Sequence, residues 1–373
     1  MTVTARPVAA PHPVVRSAVP PMTRRPDRQL TDYAELLGRV QAQGLLERRY
    51  ASYAVRISLL LAAFAAVWCG FFLLGESWVQ LAVAAVFGIV LAQWGFLGHD
   101  AAHRQIFRSG PRNEALARVV AGLVCGMSST WWARKHTRHH LAPNQIGKDP
   151  DIEPGVIRFY PGETPGRAGV LRFLADHQGW WFFPILIFEG LNLHVQGFRT
   201  VLGRGPVKHR WTELGFMATR IGGYLAVLLI FLPLGMAAAF LGVQLAVLGL
   251  YLGGTFAPSH KGMPILGPDV RIDFLRRQVL MSRNITGSYV VTAAMGGLNY
   301  QIEHHLFPSM PGPNLRRAQR TVRDFCRQRG VPYTETSLLR SYRIVVRYLN
   351  RVGLHGEVDT FRCPLVAAHR PLD

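Results

Sequence analysis

Residues 297–308 read GLNYQIEHHLFP, which places a carboxylate and two adjacent histidines in an otherwise apolar segment. Charged and polar groups in such surroundings are costly unless they bind a partner or a ligand. When the segment is read as a helix, Gln301, His304 and His305 stand at positions i, i+3 and i+4 and share one face. The stretch therefore predicts a helix that presents its polar side chains to a common point.

Two other segments carry the same kind of cluster. One reads HTRHH, with His136, His139 and His140 at the same spacing, and the other reads HDAAH, with His99 and His103 one helical turn apart. A triplet with this spacing is expected by chance in about one of fifty chains with this histidine content. Because three clusters occur in one chain, each just beyond an apolar segment, they indicate a shared metal site.

The chemistry of the clusters favours two transition-metal ions. Neutral imidazole ligates iron, zinc, copper and nickel, and a nitrogen-rich site with little carboxylate or thiolate excludes magnesium and calcium. The seven clustered histidines are too many for one tetrahedral zinc. Two metals fit better, and they suggest oxygen chemistry or metal-assisted hydrolysis.

One histidine outside the clusters is an eighth candidate ligand. His260 ends the segment TFAPSH, which follows an apolar run as the clusters do. His177, His194 and His209 lie in the middle of the chain without clustering, and we expect them to have other roles.

Several neighbours of the histidines are candidates for supporting roles. Asp100 and Glu303 are expected to accept the free N–H of a ligating imidazole and so to fix its tautomer. Four other residues could support the ligands or make only local polar contacts: Asn144, Asp149, Asp151 and Asn299. Three cations flank the second cluster and either hold an anionic head group or anchor the chain at a membrane: Arg134, Lys135 and Arg138.

The composition excludes several classes of protein. The 373 residues are 49% hydrophobic and carry a net charge of +20. A soluble nucleic-acid binder could have this charge, but its basic residues would not alternate with long uncharged apolar runs, so we expect no nucleic-acid partner. The four cysteines are scattered and predict neither a disulfide framework nor a thiolate metal site. No nucleotide-binding fingerprint is present.

Four long apolar runs predict an all-α integral membrane protein. They cover about residues 57–75, 78–98, 216–236 and 237–258, and each is near the roughly 20 residues needed to span a bilayer. The turns predicted at residues 75–77 and near Gly235 contain no Lys or Arg. Under the positive-inside rule this predicts two hairpins in the inner (plasma) membrane, with both termini and all the histidine clusters on the cytoplasmic side.

The remaining segments complete the predicted layout. Two shorter apolar stretches, 115–132 and 179–193, are interrupted by glycine, serine or proline and are predicted to be helices in the membrane interface. Arg-rich helices at about 314–329 and 336–352 are predicted to form part of a cytoplasmic cap. The predicted order is a disordered tail, one membrane domain and a C-terminal tail, covering residues 1–29, 30–350 and 351–373.

The three clusters resemble, in order, the three histidine boxes of the membrane fatty acid desaturases. Residues 99–103, 136–140 and 301–305 match the boxes, and Gly296-Gly297-Leu298 and Leu306-Phe307-Pro308 match the flanks of the third. Two apolar spans separate the second box from the third, as in that family. The resemblance covers about residues 30–350.

The resemblance implies a di-iron enzyme that inserts a double bond into a fatty acyl chain. Dioxygen would be the co-substrate, and electrons would come from NAD(P)H through a separate reductase or ferredoxin. The acyl group could be esterified to CoA, to a carrier protein or in a phospholipid. The implied iron ligands are His99, His103, His136, His139, His140, His304 and His305, with His260 and Gln301 as further candidates.

One position departs from many relatives. The third box begins with Gln301, where many relatives have histidine, and this resembles the acyl-lipid and front-end type. Many front-end enzymes carry a fused cytochrome b5 domain with a His-Pro-Gly-Gly motif, which this sequence does not contain. We therefore expect a separate electron donor, and the basic cytoplasmic face would suit an acidic one.

The nearest alternative is a lipid, alkane or carotenoid hydroxylase on the same di-iron scaffold, because the boxes themselves do not separate the two reactions. A haem-bearing electron carrier would place its ligands within opposing spans rather than in clusters. A zinc protease would need glutamate after the first histidine of an H-E-x-x-H motif, and here Asp100 follows His99.

Overall fold

The computed structural model describes residues 26–161 and 169–355, so most of the two predicted tails lies outside the described residues. The described part is mainly helical. Its α-helices are α1 (Pro26–Ala42), α2 (Tyr50–Leu74), α3 (Gln80–Ala102), α4 (Gly110–Arg118), α5 (Ser129–Leu141), α6 (Gly169–Asp176), α7 (Gln178–Ile185), α8 (Glu189–Leu202), α9 (Arg210–Phe231), α10 (Leu234–His260), α11 (Phe274–Leu280), α12 (Tyr289–Ala294), α13 (Gln301–Leu306), α14 (Gly312–Gln328) and α15 (Leu338–His355). Two short strands, β1 (Asn284–Thr286) and β2 (Glu335–Ser337), pair in parallel.

Four helices, α2, α3, α9 and α10, are long and apolar enough to cross a membrane, as the four apolar runs predicted. On α2 the side chains of Leu59, Phe72 and Leu73 are 66%, 50% and 81% exposed. A helix that leaves such side chains uncovered is suited to a lipid environment. The four helices therefore give the chain the features of a membrane protein.

The central helix of this group is α3, which packs against both α2 and α10. The close approach to α10 depends on Gly88, where an added Cβ would lie 2.8 Å from the carbonyl oxygen of Gln244. Small residues allow this contact between apolar helices, which gain little from the hydrophobic effect in lipid. As a result, the C-terminal ends of α3 and α10 are held side by side.

The helix ends differ from the predicted spans. The predicted break between the third and fourth spans lay near Gly235, but α9 ends at Phe231 and α10 begins at Leu234. Pro233 is the N-cap of α10, and proline cannot continue a preceding helix because it has no N–H to donate. At the other end, α10 continues to His260, beyond the predicted residue 258.

The two shorter apolar stretches are not continuous helices. The first consists of α4, a π-helical turn at Val119–Val124 and the start of α5, and the second consists of α7, a 3₁₀ turn at Leu186–Phe188 and the start of α8. Ser128 interrupts the first stretch because it caps the N-terminus of α5: its side chain accepts a hydrogen bond from the N–H of Trp131. Neither stretch is among the four candidate spans.

The helices around the third histidine cluster share a separate core. Leu36 and Val40 of α1 pack with Val279 of α11, Ile302 of α13 and Val322 of α14, and all five side chains are buried. The strand pair β1–β2 joins the segment before α12 to the start of α15, and Asn284 of β1 accepts a hydrogen bond from the N–H of Ile302 in α13. These contacts hold α13, which carries the third cluster, within a packed helical layer.

Candidate metal centre

The structure brings eight histidines together in two groups. The larger group consists of His99, His103, His136, His140 and His304, and the smaller one of His139, His260 and His305. In each group the nitrogen atoms that could bind a metal lie within 4.8 Å of one another. All seven box histidines and His260 therefore occupy positions compatible with a metal centre.

Four helix segments supply these side chains. The C-terminal end of α3 carries His99, and His103 follows it directly; the middle and end of α5 carry the second cluster, the last residue of α10 is His260, and the short α13 carries the third cluster. Because α3 and α10 end at the same place, the histidines meet just beyond the apolar helices. This is the position that the sequence predicted for them.

In the larger group, imidazole nitrogens face one another at short distances. His140 Nε2 lies 3.0 Å from His136 Nε2 and 3.1 Å from His304 Nε2. The buried Nε2 atoms of His99 and His103 have no hydrogen-bond partner among the described residues. Buried polar atoms are rarely left unpaired, so converging nitrogens of this kind fit a bound cation.

In the smaller group, outer partners fix the tautomers. The Nδ1 atoms of His139, His260 and His305 lie 3.0 Å from Asp149, 3.1 Å from the carbonyl oxygen of Met281 and 3.0 Å from Gln278 Oε1, respectively. Each Nδ1 can donate its proton outward, which leaves a lone pair on the inward-facing Nε2.

The inward nitrogens of the smaller group converge. His139 Nε2 lies 3.4 Å from His260 Nε2, and His305 Nε2 has no hydrogen-bond partner among the described residues. The amide of Gln301 lies 3.0 Å from His260 Nε2, so this side chain reaches the same point. Three lone pairs directed at one place are a donor set that suits a transition metal.

The protonation states agree with metal binding. Burial lowers the pKa of five histidines well below its usual range, which keeps them neutral: His103, His136, His140, His304 and His305. Burial also opposes protonation of His139, but the nearby carboxylates of Asp149 and Asp151 outweigh it and raise its pKa. A metal ion at this site would have to displace that proton.

Asp100 and Asp149 lie where the sequence predicted supporting carboxylates. Asp100 is 3.3 Å from His99 Nδ1, and it also accepts hydrogen bonds from Arg56 at 2.8 Å and from the hydroxyl of Tyr53 at 3.2 Å. Asp149 contacts His139, as described above. Each carboxylate therefore touches one candidate ligand from a different group.

Glu303 has other partners than the predicted imidazole. Its carboxylate accepts hydrogen bonds from Asn284 at 2.7 Å and from the hydroxyl of Tyr333 at 2.5 Å. Burial raises its pKa to about 7. Glu303 therefore points away from the clustered histidines and connects α13 to β1 and to the segment before β2.

The two candidate asparagines make mainly structural contacts. Asn144 donates from its side chain to the carbonyl oxygen of His260 at 3.1 Å and from its backbone N–H to Asp149 at 2.7 Å. Asn299 donates to the carbonyl oxygen of Ile285. Asn144 thus ties the second cluster to the end of α10, whereas Asn299 holds β1.

The three predicted head-group cations all have partners within the chain. Lys135 pairs with Asp151 at 2.8 Å and Arg138 with Glu153 at 3.2 Å. Arg134 donates to the carbonyl oxygen of Pro206. Arg134 and Lys135 nevertheless line the cavity described below.

A cavity of about 680 Å³ reaches the candidate ligands. His99, His136, His139 and Gln301 form part of its wall. Much of the rest is apolar, including Phe96, Leu193, Leu252 and Phe256. The cavity can hold an extended apolar molecule beside the histidines.

The histidines outside the two groups make other contacts. His194 Nδ1 lies 2.6 Å from the carbonyl oxygen of Gly190, and its Nε2 lies 3.1 Å from that of Cys125. His177 Nδ1 contacts the carbonyl oxygen of Phe173 at 3.0 Å. These contacts agree with the prediction that His177 and His194 do not belong to the clusters.

Sequence reasoning missed Glu213, which anchors the helix of the second cluster. This carboxylate, only 1% exposed, accepts hydrogen bonds from the hydroxyls of Ser128, Ser129 and Thr130 at 2.6–2.7 Å and from the N–H of Thr130 at 3.1 Å. It sits at the N-terminus of α5, where the helix dipole favours a negative charge. The only signal in the sequence was a glutamate near the start of an apolar run.

Replacing Glu213 with alanine is expected to lower the free energy of unfolding by about 3 kcal/mol. Hydrogen bonds to a charged group contribute roughly 1.5–3 kcal/mol each, and the change leaves buried hydroxyls without their acceptor. Unfolding in detergent measures the effect. The matched control is Glu114→Ala, because the partners of Glu114 among the described residues are the exposed cations Arg104 and Lys208, and it should contribute less than about 1 kcal/mol. Equal losses in the two variants would show that Glu213 does not anchor α5.

Comparison with known proteins places the sequence that carries the histidine clusters in one family. Residues 76–337 match the sequence model of the family described as fatty acid desaturase. Fatty acid desaturase 3 of Bos taurus is 30% identical over 341 residues, which cover 87% of this chain and 73% of the bovine protein. Delta(8)-fatty-acid desaturase 2 of Arabidopsis thaliana is 26% identical, with coverages of 88% and 76%, and acyl-lipid (9-3)-desaturase of Borago officinalis is 27% identical, with coverages of 89% and 77%. The matched part contains all eight clustered histidines, and the chain therefore belongs to the fatty acid desaturase family.

Proposed function

We propose that the chain is an oxygen-dependent fatty acyl desaturase whose two histidine groups each hold one iron ion. The observation that carries this assignment is the convergence of the Nε2 atoms of His139, His260 and His305, whose Nδ1 atoms all face outer acceptors. The larger group adds five imidazoles, and Gln301 is a further ligand for the smaller one.

When bound, the two irons would supply the activation of dioxygen that removal of hydrogen from an unactivated alkyl chain requires. The overall reaction takes two hydrogens from adjacent carbons, consumes O2, two electrons and two protons, and releases two waters. The protein's own part is to keep the ligand nitrogens deprotonated and oriented through Asp149, Gln278 and the carbonyl oxygen of Met281. The apolar wall of the cavity excludes water from the chain beside the ligands.

The cavity supports a fatty acyl substrate. Its apolar lining suits an alkyl chain, and Arg134 and Lys135 lie on its wall with Arg118 and Lys208. These cations would favour an anionic head group near the surface. Since Lys135 already pairs with Asp151, we place Arg134 and Arg118 first among the head-group contacts and Arg138, which does not line the cavity, last.

The arrangement in the membrane extends this proposal. The short connections between α2 and α3 and between α9 and α10 favour two hairpins, and they contain no Lys or Arg. With the arginines of α14 and α15 on the other side, we place the site and both termini in the cytoplasm and the chain in the inner (plasma) membrane. Reporter domains inserted at Ser77 and fused after Asp373 should report opposite sides. The same side for both would overturn this topology.

Electrons are expected from NAD(P)H through a separate carrier protein such as a ferredoxin with its reductase. Many exposed arginines on the proposed cytoplasmic face would attract an acidic carrier, among them Arg316, Arg317, Arg320, Arg340 and Arg347.

The decisive experiment expresses the chain with a donor pair in a desaturase-deficient host and analyses all acyl chains by mass spectrometry. We expect a new species two mass units lighter than its precursor, and the position of its double bond gives the regiochemistry. A product sixteen units heavier would make the enzyme a hydroxylase on the same scaffold. No new acyl product, with iron and donor shown to be present, would contradict an acyl substrate.

A further inference from the structure

A second cavity, of about 660 Å³, lies among α8, α9 and α10, apart from the candidate metal centre. Its wall is mainly aliphatic, and two of its lining residues, Leu191 and Leu202, are 51% and 67% exposed. Among the described residues only Cys125 lines both this cavity and the one beside the histidines. The second cavity is therefore a separate apolar space, open beside two candidate membrane spans.

A half-buried cation lies in this apolar wall. Arg220 stands ten residues after the first residue of α9, or roughly 15 Å along the helix at about 1.5 Å per residue. Its guanidinium carbon lies 4.4 Å from the centre of the Tyr224 ring and 5.4 Å from that of Phe87. An ionisable side chain at this depth in a membrane helix is costly and usually serves a function.

The contacts of Arg220 are two aromatic rings and one carbonyl oxygen, none of which carries a negative charge. Its Nε donates to the carbonyl oxygen of Val124 at 2.7 Å, and it forms no ion pair with a carboxylate in the described part of the chain. Arg199 also lines the cavity, and no aspartate or glutamate does. His194 cannot serve as a donor to a ligand, because both of its nitrogens already face carbonyl oxygens.

We infer that this cavity binds an anionic amphiphile, with the head group on Arg220 and the alkyl chain along the aliphatic wall. The two arginines of the site favour an anion, and the apolar wall and the opening beside the spans favour a lipid-like body. A single-chain carboxylate and an anionic phospholipid share this chemistry. The inference does not depend on the metal assignment, because none of the clustered histidines lines this cavity.

The experiment uses the full chain in detergent and a long-chain fatty acid that carries a diazirine and an alkyne. After illumination, labelled peptides are mapped by mass spectrometry. We expect labelling in α8 and α9, and Arg220→Gln should reduce it at least about tenfold. Glutamine keeps a donor for Val124 but removes the charge. Arg112→Gln, an exposed arginine of α4 that lines neither cavity, is the matched control and should label as the wild type does.

A second variant separates ligand loss from misfolding. Val195→Trp fills the aliphatic part of the cavity while leaving Arg220 in place, and it should reduce the same labelling. Palmitate and phosphatidylglycerol serve as competitors, and whichever protects the α8 and α9 peptides identifies the source of the anion. The methyl ester of palmitate should protect poorly. The inference is overturned if neither anion protects, if the ester protects as well as palmitate, or if Arg220→Gln and Val195→Trp both label normally.

Discussion

Replacing His139 with alanine is expected to abolish desaturation and to remove iron from the smaller histidine group while the protein still inserts into the membrane. His139 supplies one of three Nε2 atoms in that group, and its loss leaves only His260 and His305 with Gln301. Loss of an outer hydrogen-bond partner of a metal ligand costs roughly 10–100-fold in metal affinity or activity, and loss of the ligand itself should exceed this. Iron per chain, measured by elemental analysis, should fall from about two towards about one.

His177→Ala is the matched control. His177 contacts the carbonyl oxygen and the ring of Phe173 and lies outside both groups, so this variant should keep both its iron and its activity. Full activity and full iron in His139→Ala would remove His139 from the ligand set. Loss of both in His177→Ala would show that the assay reports folding rather than metal binding.

The sequence predicted that the clustered histidines would meet, because helix geometry brings the members of each cluster close together, but it did not predict their division into two groups. On a helix, successive residues are roughly 100° apart, so His136 and His140 lie about 40° from one another. His139 lies beyond His136, on the side away from His140. The structure divides them accordingly, with His139 in the smaller group and the other two in the larger. The same step places the adjacent His304 and His305 in different groups.

The parts that the sequence did not predict depend on contacts between distant segments. Glu213 meets Ser128 and Thr130 across more than eighty positions of the chain, and no local pattern shows that contact. The partners of Glu303, Asn284 and Tyr333, likewise come from other elements. The sequence pattern misplaces the break before α10 because glycines, which are common in turns, follow Pro233. Proline ends the preceding helix, whereas Gly235 and Gly242 have no neighbour within 4 Å of an added Cβ and lie inside α10.

Asp149→Asn replaces one carboxylate oxygen by an amide NH2 group, and it is expected to weaken metal binding by about 10–100-fold. In the described part of the chain, all the hydrogen-bond partners of the Asp149 carboxylate are donors: His139 Nδ1 at 3.0 Å, the N–H of Asn144 at 2.7 Å and the N–H of Asp151 at 2.9 Å. An asparagine amide group must direct its own N–H2 at one of these donors. The least costly adjustment is for His139 to move its proton from Nδ1 to Nε2, and a protonated Nε2 cannot bind a metal.

The neighbouring carboxylate provides the control for this argument. Asp151 lies 2.8 Å from Lys135 and 3.5 Å from His139 Nδ1, so Asp151→Asn disturbs an ion pair but leaves the stronger acceptor of His139 in place. Iron retention against a competing chelator should therefore fall in Asp149→Asn and change little in Asp151→Asn. Because both variants remove one negative charge from the same turn, a difference between them reports orientation of the imidazole rather than net charge. Equal retention in the two would mean that the carboxylate of Asp149 does not set the tautomer of His139.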